Sequence, residues 1–238
     1  DGVVHTEVVE RAEVPRLYRE WVLSDRHEGL VARSEQGFTY KIKPQLTLDL
    51  VVVAFGARIT GEQHELREMT VACLDDDGSY QIVGTVGGGF SDADRLTWHH
   101  RLSQIVVDSA YRMANSEGTL CHFVKPEIVV QVICSDLLTF DGGDRQIRRM
   151  RLGYGPEGWR PQGERATAVL LHPRFDRERE DKTADAANVG MSQILSRVSL
   201  EVAPQRERMD LAKAEIFERT VYVKVTKGKK AVRKYLAI

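Results

Sequence analysis

The sequence predicts a mainly β protein with some α-helix, its short strands closing into a small barrel. Two observations carry this. From Leu46 onward, β-branched apolar runs recur between Gly- and Asp-rich turns, giving five or six candidate strands. A single long helical pattern, Ser91 to Met113, is interposed among them. Composition agrees: 42% hydrophobic and 29% charged residues is ordinary for a globular chain. It excludes extended disorder, collagen and a disulfide scaffold.

With 238 residues the chain has room for about one and a half domains. It can bury roughly 70% or more of its unfolded surface without a metal or disulfide to hold the core. No run of 18 apolar residues exists, so no spanning helix is expected. The polar, acidic first fifteen residues carry no visible signal peptide. The first residue is Asp1 rather than Met, as expected of a fragment or processed chain. Cys73, Cys121 and Cys134 show no C-x-x-C spacing and read as small hydrophobes in a reducing cytoplasm, not as a zinc site. Net charge is −1, yet Arg219–Ile238 holds seven Lys or Arg and no acid, so the basic end is the C-terminus.

In chain order, Val14, Leu17 and Trp21 fall at helical spacing and predict a helix over 13–23. Two strand-like runs, 28–33 and 38–43, flank Ser34-Glu35-Gln36-Gly37 and predict a hairpin. Alternation then puts Thr39, Lys41 and Lys43 on one face and Phe38, Tyr40 and Ile42 on the other. Along the strand, Lys41 and Lys43 lie about 7 Å apart. After Pro44, strands are expected at 46–55, 69–74 and 80–86, with Asp77-Gly78 as a turn. Gly87-Gly88-Gly89 ends that hairpin. The helix over 91–113 has Ser91 as its cap and an inner face of Leu96, His99, Ile105 and Val106. Further strands are expected at 128–134, 147–152 and 167–171, fitting an OB-fold barrel. A charge-dense stretch follows, then a helix near 184–198, a linker with Pro204, a helix near 206–217 and a strand at 220–225.

Three motifs occur in a telling order: Glu28-Gly29-Leu30-Val31-Ala32-Arg33, then Tyr40-Lys41-Ile42-Lys43-Pro44, then Pro173 to Lys182 ending Arg179-Glu180-Asp181-Lys182. They resemble the fourth, fifth and sixth motifs of the ATP-dependent DNA ligases, within the covalent nucleotidyltransferases. Thr47 to Val53 resembles the first OB strand of that family, and Val86 to Ser91 its glycine turn. The resemblance covers about residues 14–200. It implies three parts: 1–43 as the C-terminal end of an adenylation (nucleotidyltransferase) domain, 44–182 as the OB-fold, and 183–238 as a helical, basic extension. It further implies ATP and Mg²⁺ as cofactors and nicked double-stranded DNA as partner. The missing N-terminal part of the adenylation domain is the other partner. A monomer in the cytoplasm, or associated with the nucleoid, is expected, with no membrane involvement.

The resemblance also implies roles. Lys41 and Lys43 are expected at the α-phosphate, Glu28 at the metal, and Arg33, Arg174 and Arg177 at the nucleotide. Arg179, Asp181 and Lys182 are expected to serve the first chemical step from the barrel side. The chemistry suits these residue types, because nucleotidyl transfer is catalysed mainly by positioning and by neutralising negative charge. Arg presents a fork to phosphate and Lys a point charge. The chain also departs from the family pattern. No K-x-D-G nucleophile motif occurs, Arg33 stands where Lys is usual, and Leu171-His172 stands where Arg-Phe is usual. Read without the resemblance, Lys41 and Lys43 are the charged face of an edge strand, and 174–182 a salt-bridged surface segment. The alternative functions are a non-catalytic OB nucleic-acid-binding module and a capping-type or RNA-ligase nucleotidyltransferase.

Overall fold

The computed structural model describes residues 7–24, 29–115, 117–200, 220–222 and 233–235. It divides into two units, Arg16–Pro204 and the pair Asp1–Pro15 with Gln205–Ile238. The described core of the latter is an antiparallel pair, Thr220–Tyr222 with Arg233–Tyr235. The helix expected near 206–217, the rest of the 220–225 strand and most of the basic tail lie outside the described residues. The helix expected over 13–23 forms in three pieces, a 3-10 turn at Arg11–Glu13, an α turn, α1 (Val14–Leu17), and a π segment at Tyr18–Ser24.

The predicted hairpin is present. β1 (Leu30–Arg33) and β2 (Thr39–Ile42) pair antiparallel, Leu30 opposite Ile42 and Arg33 opposite Thr39. Gly37 holds φ +84° in the turn. Gly29, just before β1, lies tight against the end of β2: a Cβ there would stand 2.5 Å from the Ile42 carbonyl oxygen and 3.0 Å from Lys43 Cγ.

The main sheet is built on β3 (Leu46–Thr60) and β4 (Gln63–Leu74), a hairpin whose strands run well past the apolar segments that predicted them. Gly61, at φ +63°, turns the chain between them. β5 (Tyr80–Val86) follows on β4 as expected. On the other side of β3 lie the two-residue β6 (His122–Phe123) and β7 (Val129–Cys134). A short pair, β8 (Asp136–Leu138) with β11 (Val169–Leu171), brackets a long hairpin of β9 (Arg148–Gly155) and β10 (Gly158–Ala166) that attaches to β5. Last comes β12 (Arg174–Glu178) on β7. The sheet order is β10-β9-β5-β4-β3-β7-β12, and a parallel bridge joins Gly88, just past β5, to Arg174 of β12. The inner face packs Leu48, Leu50, Val52, Phe55, Met69, Val83, Leu102, Val130 and Val132. A second cluster, on the sheet's other face, gathers Val51, Val53, Ala72, Leu152 and Trp159.

The interposed helix is shorter than its pattern. α2 (Asp92–Ser103) begins on a capping box: Ser91 Oγ accepts from the Asp94 N–H, and the Asp94 carboxylate accepts from the Ser91 N–H. It buries Trp98 and Leu102, while Leu96 stays exposed. Ile105 and Val106, assigned above to its inner face, lie beyond its end, where the chain runs alongside 122–125. Val107 donates to the Phe123 carbonyl and Lys125 to that of Ile105. A β-branched triplet gains more from ladder pairing than from a continued helix. The helix expected near 184–198 is likewise two turns, α3 (Ala186–Val189) and α4 (Ser192–Leu195). Gly190 between them is extended, and a Cβ there would lie 2.2 Å from the Ala186 carbonyl oxygen. Among the described residues no helix is long and apolar enough to cross a membrane.

Candidate nucleotide and DNA site

Two groups of predicted site residues are described. In the hairpin, the register puts Val31 opposite Lys41 and Arg33 opposite Thr39, so Arg33, Val31, Thr39 and Lys41 share one face. Arg33, Lys41 and Lys43 are all exposed. The other face carries Leu30, Ala32, Tyr40 and Ile42, with Tyr40 56% and neighbouring Phe38 60% exposed. Lys43 lies across from Gly29, whose missing side chain leaves room for its stem. Glu28, the expected metal ligand, lies outside the described residues. Among the described residues no three His, Cys, Asp or Glu side chains converge to hold a cation.

The second group is β12 and the turn after it. The charge-dense stretch is a strand because Phe175 turns inward, stacking on Phe90 at 4.6 Å and meeting Trp98 edge-on at 5.6 Å. Its N–H donates to the Gly88 carbonyl at 2.9 Å. Gly89, at φ +93°, passes so close that a Cβ would stand 2.2 Å from the Phe175 carbonyl oxygen. The glycine turn thus fastens β12 to the end of β5. On the outer side, Arg101 of α2 grips Glu178 through two bonds of 2.7 and 2.8 Å while lying over the Trp98 ring. Arg174 and Arg177 remain exposed; Arg177 approaches a carboxylate only at 4.0 Å, from neighbouring Asp176.

The residues expected to act as a set, Arg179, Asp181 and Lys182, do come together, around a carboxylate that the sequence reading passed over. Arg179 holds Asp181 in a fork, Nε and Nη2 donating at 2.9 and 2.8 Å. Its Nη1 reaches both oxygens of Asp49 at 3.1 and 3.2 Å. Lys182 Nζ donates to Asp49 Oδ2 at 2.6 Å. Asp49 lies on β3, in the apolar run from Leu48 to Val53, and its side chain is only 11% exposed. A lone buried carboxylate would be costly; two cations and the Gln131 amide at 3.4 Å offset that. The Arg179 guanidinium, first by its hydrogen bonds, holds the Asp181 carboxyl at about 2, and the Asp181 and Asp49 carboxylates raise the Arg179 pKa in turn. Only the position of Asp49, a single acid inside a strand of Leu and Val, marked it in the sequence.

Residues 62–182 match the family model described as the ATP dependent DNA ligase C terminal region. The chain belongs to this family. A probable DNA ligase of Streptomyces avermitilis is 30% identical over 179 residues, which is 70% of this chain and 28% of that protein. The DNA ligase of Thermococcus onnurineus is 27% identical over 194 residues, 77% of this chain and 29% of that one. The chain therefore spans less than a third of the length of these relatives. Among solved structures, the ligase domain from M. tuberculosis LigD aligns at a TM-score of 0.40 and 19% identity, covering 69% of this chain and 48% of that one. The matched region takes in the glycine turn, β12 and the whole Arg179–Lys182 turn, and stops at Lys182.

Proposed function

We propose that the chain is the C-terminal working part of an enzyme that seals nicks in double-stranded DNA with ATP and Mg²⁺, through enzyme-AMP and DNA-adenylate intermediates. In this reading residues 1–43 end the adenylation domain, 44–182 form an OB-fold barrel, and 183–238 are an extension. The strand order β5-β4-β3-β7-β12, with the parallel Gly88–Arg174 bridge between its ends, supports the barrel assignment. The observation that carries the functional reading is the matched region ending on a cationic turn anchored to β3 by Asp49.

Here Lys41 and Lys43 neutralise the α-phosphate, with Arg33 beside them. Arg174 and Arg177 offer exposed guanidinium forks to the nucleotide's phosphates. The 179–182 turn orients the pyrophosphate leaving group. Mg²⁺ enters through family membership; it would screen phosphate charge, and the described residues hold no ligand cluster for it. Pyrophosphate is present only in the first step, so the reading is testable by step. Arg179→Ala/Lys182→Ala in the ligase restored to full length should abolish self-adenylation, yet still seal a nick whose 5′ end already carries AMP. Equal loss of both activities in a folded variant would overturn the leaving-group role.

A further inference from the structure

We infer that Asp49 is a positioning residue for the first step, and that Arg179 acts by holding the turn's shape while Lys182 meets the phosphate. The inference rests on the ligase reading above and assigns roles within it. A guanidinium has five N–H donors. Arg179 directs Nε and Nη2 to Asp181 and Nη1 to both Asp49 oxygens, and its side chain is 16% exposed. Little of the fork remains to meet a ligand. Lys182 gives one of three N–H groups to Asp49 and is 25% exposed. It therefore has donors to offer and a direction fixed by Asp49.

Asp49 is itself held in place. The Gln193 side chain lies along its backbone: Oε1 accepts from the Asp49 N–H at 3.0 Å, and Nε2 donates to the Asp49 carbonyl at 2.9 Å. The partner strand β7 holds the other side, with Gln131 opposite Asp49. With both its backbone groups bonded to Gln193 and its strand paired along the opposite edge to β7, Asp49 is a rigid reference point, and rigid support is what preorganised charge stabilisation requires. Asp49 also cancels part of the turn's positive charge, so its two effects on ATP oppose one another: it weakens attraction and improves aim.

That opposition gives the test. Asp49→Asn keeps the shape and removes the charge. In the full-length ligase it should lower kcat for self-adenylation at least tenfold without raising the KM for ATP. Sealing of a pre-adenylated nick should stay within threefold. Adding Arg179→Gln to Asp49→Asn should lower the rate no more than about twofold further, because both substitutions release the same Lys182. Should Asp49→Asn fail to fold, Asp181→Asn with Arg179→Gln supplies the same cycle, since Asp181 is exposed and shares the fork. Self-adenylation within twofold of wild type in Asp49→Asn would overturn the positioning role. Fully multiplicative losses in either pair would overturn the indirect role of Arg179 and make it a direct ligand contact. Failure of the ligase reading looks different: there, the full-length wild-type protein forms no covalent AMP adduct with ATP and Mg²⁺ and seals no nick.

Discussion

Replacing Gly89 by Ala should loosen the joint between the end of β5 and β12. At φ +93° the new residue is strained wherever its side chain points, at about 1–3 kcal/mol. Its Cβ would also stand 2.2 Å from the Phe175 carbonyl oxygen and 2.7 Å from the Phe175 nitrogen, both backbone atoms that cannot rotate away. Forcing a carbon into such a packed place costs typically about 1–3 kcal/mol more. Taking about 3 kcal/mol in total, and about 2–4 °C per kcal/mol for a domain of this size, Tm falls by roughly 6–12 °C. Gly88→Ala is the control, because its Cβ meets nothing nearer than 3.7 Å. It should change stability by no more than about 0.5 kcal/mol. Thermal melts of the 238-residue chain read both variants directly. A Gly89→Ala protein melting within 2 °C of wild type, or below Gly88→Ala by no margin, would refute the argument that the glycine turn fastens β12 by close backbone approach.

Two further outcomes are expected. On the proposed α-phosphate role of Lys43, Lys43→Ala in the full-length ligase should lower sealing by about 10²–10³ on both unmodified and pre-adenylated nicks, since that phosphate would be present in every step; sealing within threefold with unchanged melting would return Lys43 to the role of an edge-strand charge. Burial, and then the neighbouring His64, His122 and His100, lower the His99 pKa below its ordinary 6.5, so the folded protein resists protonation there. The unfolded chain binds that proton more readily, and stability contributed by neutral His99 is therefore lost as pH falls below 6.5. Urea midpoints at pH 7.5 and 5.5 should differ less in His99→Gln than in wild type, and an equal difference would sink the assignment.

What could be read from sequence follows physical lines. β3, β5 and β7 were legible because their apolar runs are dense and bounded by turn residues. The hairpin at 30–42 was legible from its alternation and Gly37. β10 was not: its outward residues, Arg160 to Arg165, are exposed and include Pro161 and Gly163, so no apolar rhythm marks a strand. β12 was missed for the same reason, as Phe175 alone turns to the core between charged neighbours. The helix pattern at 91–113 ran too long because Ile105, Val106 and Val107 satisfy helical spacing and strand preference equally, and pairing with 122–125 decided between them. At the site, the motif residues were visible as letters, but their mutual restraint was not. The partner of Arg179 is 130 residues away, on the first strand of the sheet. No local pattern announces a contact of that range. The salt bridges expected of 174–182 form at Glu178 and Arg179, while Arg174 and Arg177 face solvent and stay available for the proposed phosphate contacts.

The Gln193 amide bound along the Asp49 backbone also covers an edge of the main sheet. β4 pairs with β3 from Val51 onward, and among the described residues no strand pairs with Leu46 to Leu50 on that side. Bare strand edges are templates for another chain. Here one carboxamide supplies a donor and an acceptor at peptide-like spacing, and Met191 adds a bond to the Leu74 carbonyl at the end of β4. Among the described residues, a side chain thus occupies the backbone donor and acceptor of Asp49 where no strand pairs with them, so that stretch of edge is not open as a template.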